Sequence, residues 1–235
     1  MKNILICGCS FTQSRINERE EWINSNLSWI PYSDILYHDY KDKVKNIGQD
    51  SASNGWIYNT TLAELLKSDF NYDFVIIQWS AVMRAHFPDY NKLEAVGTNW
   101  PVGNPSVAPH LFEYIKRSNM PPGTVTDTLN QVESYFYLHT LINIYSLQKI
   151  LESNNIRYFM FWGWNQITYN LYDEYKHIFD KIYNDNFWRF NNHGGMNEYI
   201  ISKLGKEQAL VPMDYHPSTK GHKLFYEDII KPLIK

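Results

Sequence analysis

Lys2-Asn3-Ile4-Leu5-Ile6-Cys7-Gly8-Cys9-Ser10-Phe11-Thr12 stands at the start of the chain. Lys2 to Cys7 predicts a short buried strand, ended by Gly8. A serine just past such a strand end sits at the ligand edge of a sheet with its hydroxyl exposed. Its backbone N–H lies at the opening of a turn, where it can stabilise an oxyanion. Ser10 could equally cap that turn and do no more.

Working outward, Lys43 to Ile47 predicts a second strand. Phe74 to Gln78 predicts a third, covered on both faces because it is apolar and β-branched throughout. Arg157 to Trp162 is the fourth and Ala209 to Val211 a short fifth. Helical spacing separates them. Tyr58, Leu62, Leu65 and Leu66 follow Ser53 and Asn54, either of which can cap. Val132 to Ser153 is apolar almost all round, which predicts a heavily buried helix. Phe225, Ile229 and Leu233 place one face of a last helix on the core, with Ser218 as its N-cap. Strands alternating with helices imply a mostly parallel, five-stranded sheet with helices on both sides. Ligands of such sheets bind beyond the carboxyl ends of the strands.

Six of the ten prolines fall between Pro88 and Pro122. Residues 85–130 therefore read as an insertion, too poor in apolar residues to form a second domain, that hangs over the binding edge as a cap. The 235 residues form one domain with that insertion.

Composition narrows the function classes. Net charge is −3 with no run of Lys or Arg, so the counterion-displacing footprint of a nucleic-acid binder is missing, as is a polybasic membrane anchor. Cys7 and Cys9, the only cysteines, are too close in sequence for a good mutual disulfide. The N-terminal apolar stretch is too short for a secretory signal, and no segment approaches the ~18 apolar residues of a membrane span. These features predict a soluble protein of a reducing compartment, the cytoplasm. Aromatic residues reach 16%, with 18 Tyr and 8 Trp; most fill core and cap, and some line a groove for a sugar or acyl group. The eight histidines show no metal-binding spacing, and no Walker-type or dinucleotide fingerprint exists, so neither metal nor cofactor is expected.

Asp214-Tyr215-His216-Pro217-Ser218 is the second chemically suggestive stretch. A histidine in a loop before a helix can present a nitrogen to a serine across the sheet edge, and a nearby acid can fix its tautomer. The serine needs such a base because its hydroxyl is too weakly acidic near neutral pH. The same residues also suit a plain helix-entry turn. Gly163, Trp164 and Asn165 end the fourth strand and suit either a substrate pocket or packing. His139, on an apolar helix, reads as a core residue, and His193-Gly194-Gly195 as a turn.

Gly8-Cys9-Ser10-Phe11-Thr12, then Asn46-Ile47-Gly48 with Ser51-Ala52-Ser53-Asn54, then Asp214-Tyr215-His216-Pro217 together resemble the SGNH (GDSL-type) hydrolases. The branch with a GCSFT-like start and an Asp-x-His-Pro-Ser-x-x-Gly-His ending is the most similar. The resemblance runs along the whole chain in order, and is sharp at its two ends. It implies a flavodoxin-like three-layer α/β/α fold and esterase, lipase, thioesterase or carbohydrate acyl-esterase chemistry. It implies Ser10 as nucleophile, His216 as base and Asp214 as acid. The family's acid stands three residues before the histidine, whereas Asp214 stands two before. A second oxyanion donor, a backbone N–H, matches Ser51. The third, normally an Asn side chain in a Gly-x-Asn-Asp block, has no match in Gln78-Trp79-Ser80-Ala81-Val82-Met83-Arg84; Ser80, Arg84 and Asn54 are the candidate substitutes. Each also suits a structural role: a cap for Asn54, a backbone partner for Ser80, an acid partner for Arg84.

The expected function is hydrolysis of an ester-linked acyl group, inclined toward acetyl on a glycan over a long-chain lipid. An acyltransferase using the same serine, and a binding or structural module that kept the fold without the chemistry, are the alternatives.

Overall fold

The computed structural model describes residues 3–15, 29–82, 84–88, 95–99, 122–165, 169–212 and 216–234. Strands β1 (Ile4–Cys7), β2 (Val44–Asn46), β3 (Phe74–Trp79), β6 (Arg157–Trp162) and β7 (Phe187–Trp188) form a five-stranded sheet in the order β2-β1-β3-β6-β7. Every pairing in it is parallel. All four residues of β1 and all six of β3 are buried. Successive side chains point to opposite faces, so helices must cover the sheet on both sides. One group comprises α2 (Asn54–Lys67), α3 (Pro122–Ser153) and α4 (Tyr169–Ile182), which pack in series. The other comprises α1 (Tyr32–Tyr40), α5 (Met196–Leu204) and α7 (Thr219–Phe225). A single helical turn, α6 (Lys206–Ala209), joins α5 to the loop before α7.

The caps are those the sequence suggests. Ser53 accepts from the Trp56 N–H at the start of α2, and Ser218 accepts from the Gly221 N–H at the start of α7.

Four expectations are corrected. Ala209 to Val211 is no strand: Ala209 ends α6, and Leu210 makes only an isolated antiparallel bridge to Pro217. The fifth strand is β7, only two residues long. The helix read from Val132 begins at Pro122, absorbing the end of the expected insertion, and it is not buried all round. Tyr137, Leu141, Ile144, Leu147 and Leu151 face the core, while Tyr135 and Ile142 are exposed. His139 is exposed as well, against the Tyr135 ring. Finally, the face read as Phe225, Ile229, Leu233 becomes Phe225, Tyr226, Ile230, Ile234. A π-turn over Tyr226–Ile230 adds a residue to the repeat and rotates the buried stripe by one position.

Residues 85–130 contain two antiparallel strands, β4 (Arg84–Pro88) and β5 (Ala95–Asn99), forming a separate small sheet. Residues 89–94 and 100–121 lie outside the described residues, and with them most of the expected cap. Among the described residues, no helix is long and apolar enough to cross a membrane.

Ile76 lies at the centre of β3, fully buried between β1 and β6. Ile76→Ala is expected to cost about 2–5 kcal/mol of stability, measured as a lower midpoint of urea unfolding.

Candidate active site

The backbone beyond β1 closes into a turn in which the Thr12 and Gln13 N–H groups both donate to the Cys9 carbonyl, at 2.8 and 3.0 Å. Ser10 rides on that turn at the carboxyl edge of the sheet. The loop after α6 supplies His216, and main-chain bonds fasten it: Val211 N–H donates to the His216 carbonyl, and Ser218 N–H to the Ala209 carbonyl, both at 2.8 Å. The segment misread as a strand thus holds the loop that carries the imidazole. Ser10 Oγ and His216 Nε2 meet at 2.7 Å across 206 positions of sequence. With the proton on Nδ1, Nε2 accepts from the serine hydroxyl, which is the tautomer that proton abstraction requires.

Gln78, at the end of β3, organises the serine turn. Its Oε1 accepts from the Cys9 N–H at 3.0 Å, the Cys9 thiol at 3.1 Å and the Thr12 hydroxyl at 3.2 Å. Its Nε2 donates to the Trp79 carbonyl at 2.6 Å. The Tyr32 and Thr12 hydroxyls meet at 2.9 Å, extending the network into α1. Two glycines make room for this carboxamide. A Cβ on Gly8 would meet Gln78 Oε1 at 2.9 Å, and one on Gly163 would meet Gln78 Nε2 at 2.6 Å. Asn46 adds a further brace, donating to the Thr12 carbonyl at 2.6 Å and accepting from the Gly48 N–H at 2.8 Å.

Aromatic rings enclose the histidine. Phe11 meets the His216 ring edge-on at 5.3 Å and the Trp164 ring at 5.1 Å. Trp29 stacks on His216 at 4.4 Å. The loop carrying Trp164 and Asn165 is pinned by Glu198, whose carboxylate accepts from the Asn165 and Gly195 N–H groups at 3.0 and 2.8 Å. Behind Phe11 and Tyr32 lies His222, fully buried. Neither of its ring nitrogens has a hydrogen-bond partner among the described residues. Burial first, and His216 second, push its pKa down to about 3, so it is a neutral neighbour of His216. Burial likewise pushes the Cys7 thiol up to about 12, which leaves it protonated and inert.

The remaining sequence candidates are placed differently. Ser51 adopts a left-handed backbone with φ +58°, and its N–H donates to the Asp50 carboxylate at 2.7 Å. An oxyanion would have to displace that partner. Asn54 is a clamp: its Oδ1 accepts from the Ser80 N–H at 2.7 Å, and its Nδ2 faces the Ser80 carbonyl at 3.1 Å and Thr140 Oγ1 at 3.3 Å. It ties the ends of α2 and β3 to α3, with its two amide hydrogens engaged within the protein. Ser80 is fully buried beside it. Arg84 starts β4, and its side chain lies outside the described residues, as does the whole of Asp214. No group of three or more His, Cys, Asp or Glu suited to a metal stands together among the described residues.

Sequence reading missed Gln78, Trp29 and His222. For Gln78 a signal existed: a glycine at each neighbouring strand end, which only makes sense if something lies between. Trp29 follows a polar, unpatterned stretch and carries no such signal.

The chain matches no family model and no curated protein. Among solved structures it is similar to the psychrotrophic esterase EstA from Pseudoalteromonas sp., with TM-score 0.48 and 14% identity over 100% of each chain. It is similar also to a catalytic mutant of Axe2, an acetylxylan esterase from Geobacillus stearothermophilus, with TM-score 0.47 and 13% identity over 98% of this chain and 93% of that one. Likeness this distant places no residue, and the chemistry rests on the geometry above.

Two outcomes are expected. Gln78→Leu strands the buried Cys9 N–H, costing about 1–3 kcal/mol in urea unfolding. His222 stays neutral when folded but takes a proton when unfolded, so stability falls as pH drops from about 6.5 toward 3. His222→Phe is expected to flatten that part of the stability–pH curve, followed by unfolding at a series of pH values.

Proposed function

We propose that this chain is a serine hydrolase that cleaves an ester-linked acyl group, with Ser10 as nucleophile and His216 as base. One observation supports this above all: the 2.7 Å contact between Ser10 Oγ and His216 Nε2, two groups brought together from opposite ends of the chain. In the proposed course, Nε2 takes the hydroxyl proton as Oγ attacks the ester carbonyl. The tetrahedral oxyanion is met by the Ser10 N–H, with the Ser51 N–H joining once it turns from Asp50. Collapse breaks the ester C–O bond, and the imidazolium returns its proton to the departing alcohol. Water, deprotonated by the same nitrogen, then cleaves the acyl-enzyme, releasing the carboxylic acid and restoring Ser10. Asp214 is proposed to accept a hydrogen bond from the Nδ1–H and so stabilise the imidazolium, on its sequence position two before His216. Ser80 and Arg84 stay candidates for a third donor on sequence position alone.

Ser10 is only 2% exposed and is flanked by Phe11, which packs against Trp164. Such narrow access supports a short acyl group, such as acetyl on a glycan, with Trp164 and Asn165 toward the alcohol side. Two engaged donors, the Ser51 N–H and the Asn54 amide, favour a second reading in which the fold binds an acylated ligand without turnover. A fluorophosphonate separates the two: covalent labelling of Ser10 supports the hydrolase, and well-folded protein that resists labelling supports the binding module. Product analysis with an alcohol acceptor separates hydrolysis from acyl transfer.

Ser10→Ala is expected to lower kcat on p-nitrophenyl acetate by about 10³-fold or more while leaving thermal unfolding unchanged. Full retained rate would refute the assignment. Preference for long acyl chains over acetyl would refute the substrate class.

A further inference from the structure

The stacking of Trp29 on His216 has no part in the steps above. The two ring centroids are 4.4 Å apart and their planes lie 16° from parallel. Phe11 bears on the same imidazole from its edge, at 67°. Trp29 is itself 6% exposed, so its indole is held in place. The Arg15 guanidinium lies 5.1 Å from the indole centroid. Backbone contacts fix the segment at both ends of the site. Ile30 N–H donates to Thr219 Oγ1 at 3.0 Å, which ties it to α7 just after the His216 loop. The Asp34 N–H donates to the Pro31 carbonyl at 3.1 Å, and Asp34 Oδ2 accepts from the Arg15 N–H at 2.7 Å, which ties it to the turn after Ser10.

A histidine ring turns about a broad, roughly two-fold χ2 torsion, which hydrogen bonds at its ring nitrogens restrain only in part. A flat indole against one face and a phenyl ring at the edge remove that freedom. The indole N–H is far too weakly acidic to pass its proton to the imidazole, and the effect of Trp29 is confined to where Nε2 points. Orientation of a base matters to the bond-making step far more than to substrate binding.

We propose that Trp29 is a positioning residue for His216, holding the imidazole plane so that Nε2 addresses the Ser10 hydroxyl. The proposal rests on the reading of Ser10 and His216 as nucleophile and base. Among the described residues, His222 on α7 lies beside His216 and is uncharged in the folded protein, and Arg15 lies beyond the indole.

The test compares Trp29→Leu, which keeps apolar bulk without a flat face, with Trp29→Phe, which keeps a ring. Trp29→Leu is expected to lower kcat by about 10²-fold with KM little changed, and Trp29→Phe to recover most of the loss. A second readout needs no turnover. An indole stacked on an imidazole shields it, so at fixed pH the His216 ring C–H proton resonances, assigned by their loss in His216→Gln, are expected upfield in wild type and shifted downfield in Trp29→Leu. Wild-type kcat in a folded Trp29→Leu, or His216 resonances unmoved in Trp29→Leu, would overturn the proposal. If wild type proves inactive on every ester or Ser10→Ala stays active, the hydrolase reading fails alone, and the resonance measurement still decides whether Trp29 holds His216.

Discussion

A single side-chain carboxamide, that of Gln78, couples strands β1 and β3 beneath the turn that carries Ser10. It reaches from the end of β3 under the turn that follows β1, and three donors of that turn converge on its one oxygen. A buried oxygen with three partners, in a region closed to water, strongly resists rearrangement, because any alternative turn leaves buried donors unmatched. Ser10 inherits its position from this constraint. The turn on which the serine rides cannot shift without breaking the Gln78 network. The same logic explains why Gly8 and Gly163 flank the carboxamide, since a methyl group at either position would occupy its space.

His216 is held by different means. Its loop is fastened through main-chain groups on α6 and α7, and its ring is fixed by Trp29 and Phe11. Ser10 is thus fixed by hydrogen bonds from the sheet and His216 by aromatic packing. The two supports meet at the 2.7 Å contact between them. Neutral His222 beneath adds no competing charge.

Much of this was legible in the sequence. The strand–turn at Ser10 and the loop at His216 could be read because strand ends, glycines and a helix cap are local signals. The alternation of strands and helices gave the parallel sheet for the same reason. What failed was long-range or aperiodic. Ala209 to Val211 has the composition of a strand but lies beside α6 and the His216 loop, where no sheet edge is available to it. The last helix was read with a constant period, and one π-turn rotates its face. Asn54 reads as a candidate substitute for the missing oxyanion asparagine; only the fold brings Ser80 and Thr140 to both sides of its amide. Gln78 is signalled only by the glycines at the neighbouring strand ends, and Trp29 by nothing, because stacking partners 187 residues apart leave no pattern in sequence.

The brevity of the outermost strands has a consequence for how molecules of this protein meet one another. β2 contributes three residues and β7 two, and β2 carries Lys45, ion-paired to Glu64 at 2.7 Å. An open parallel sheet normally exposes a row of unmatched main-chain groups at each border, a template on which a neighbouring copy can add a strand. Here each border is too short to nucleate such growth, and one bears charge. The feature that hid β7 from a reading of the sequence therefore guards the folded sheet against edge-to-edge aggregation.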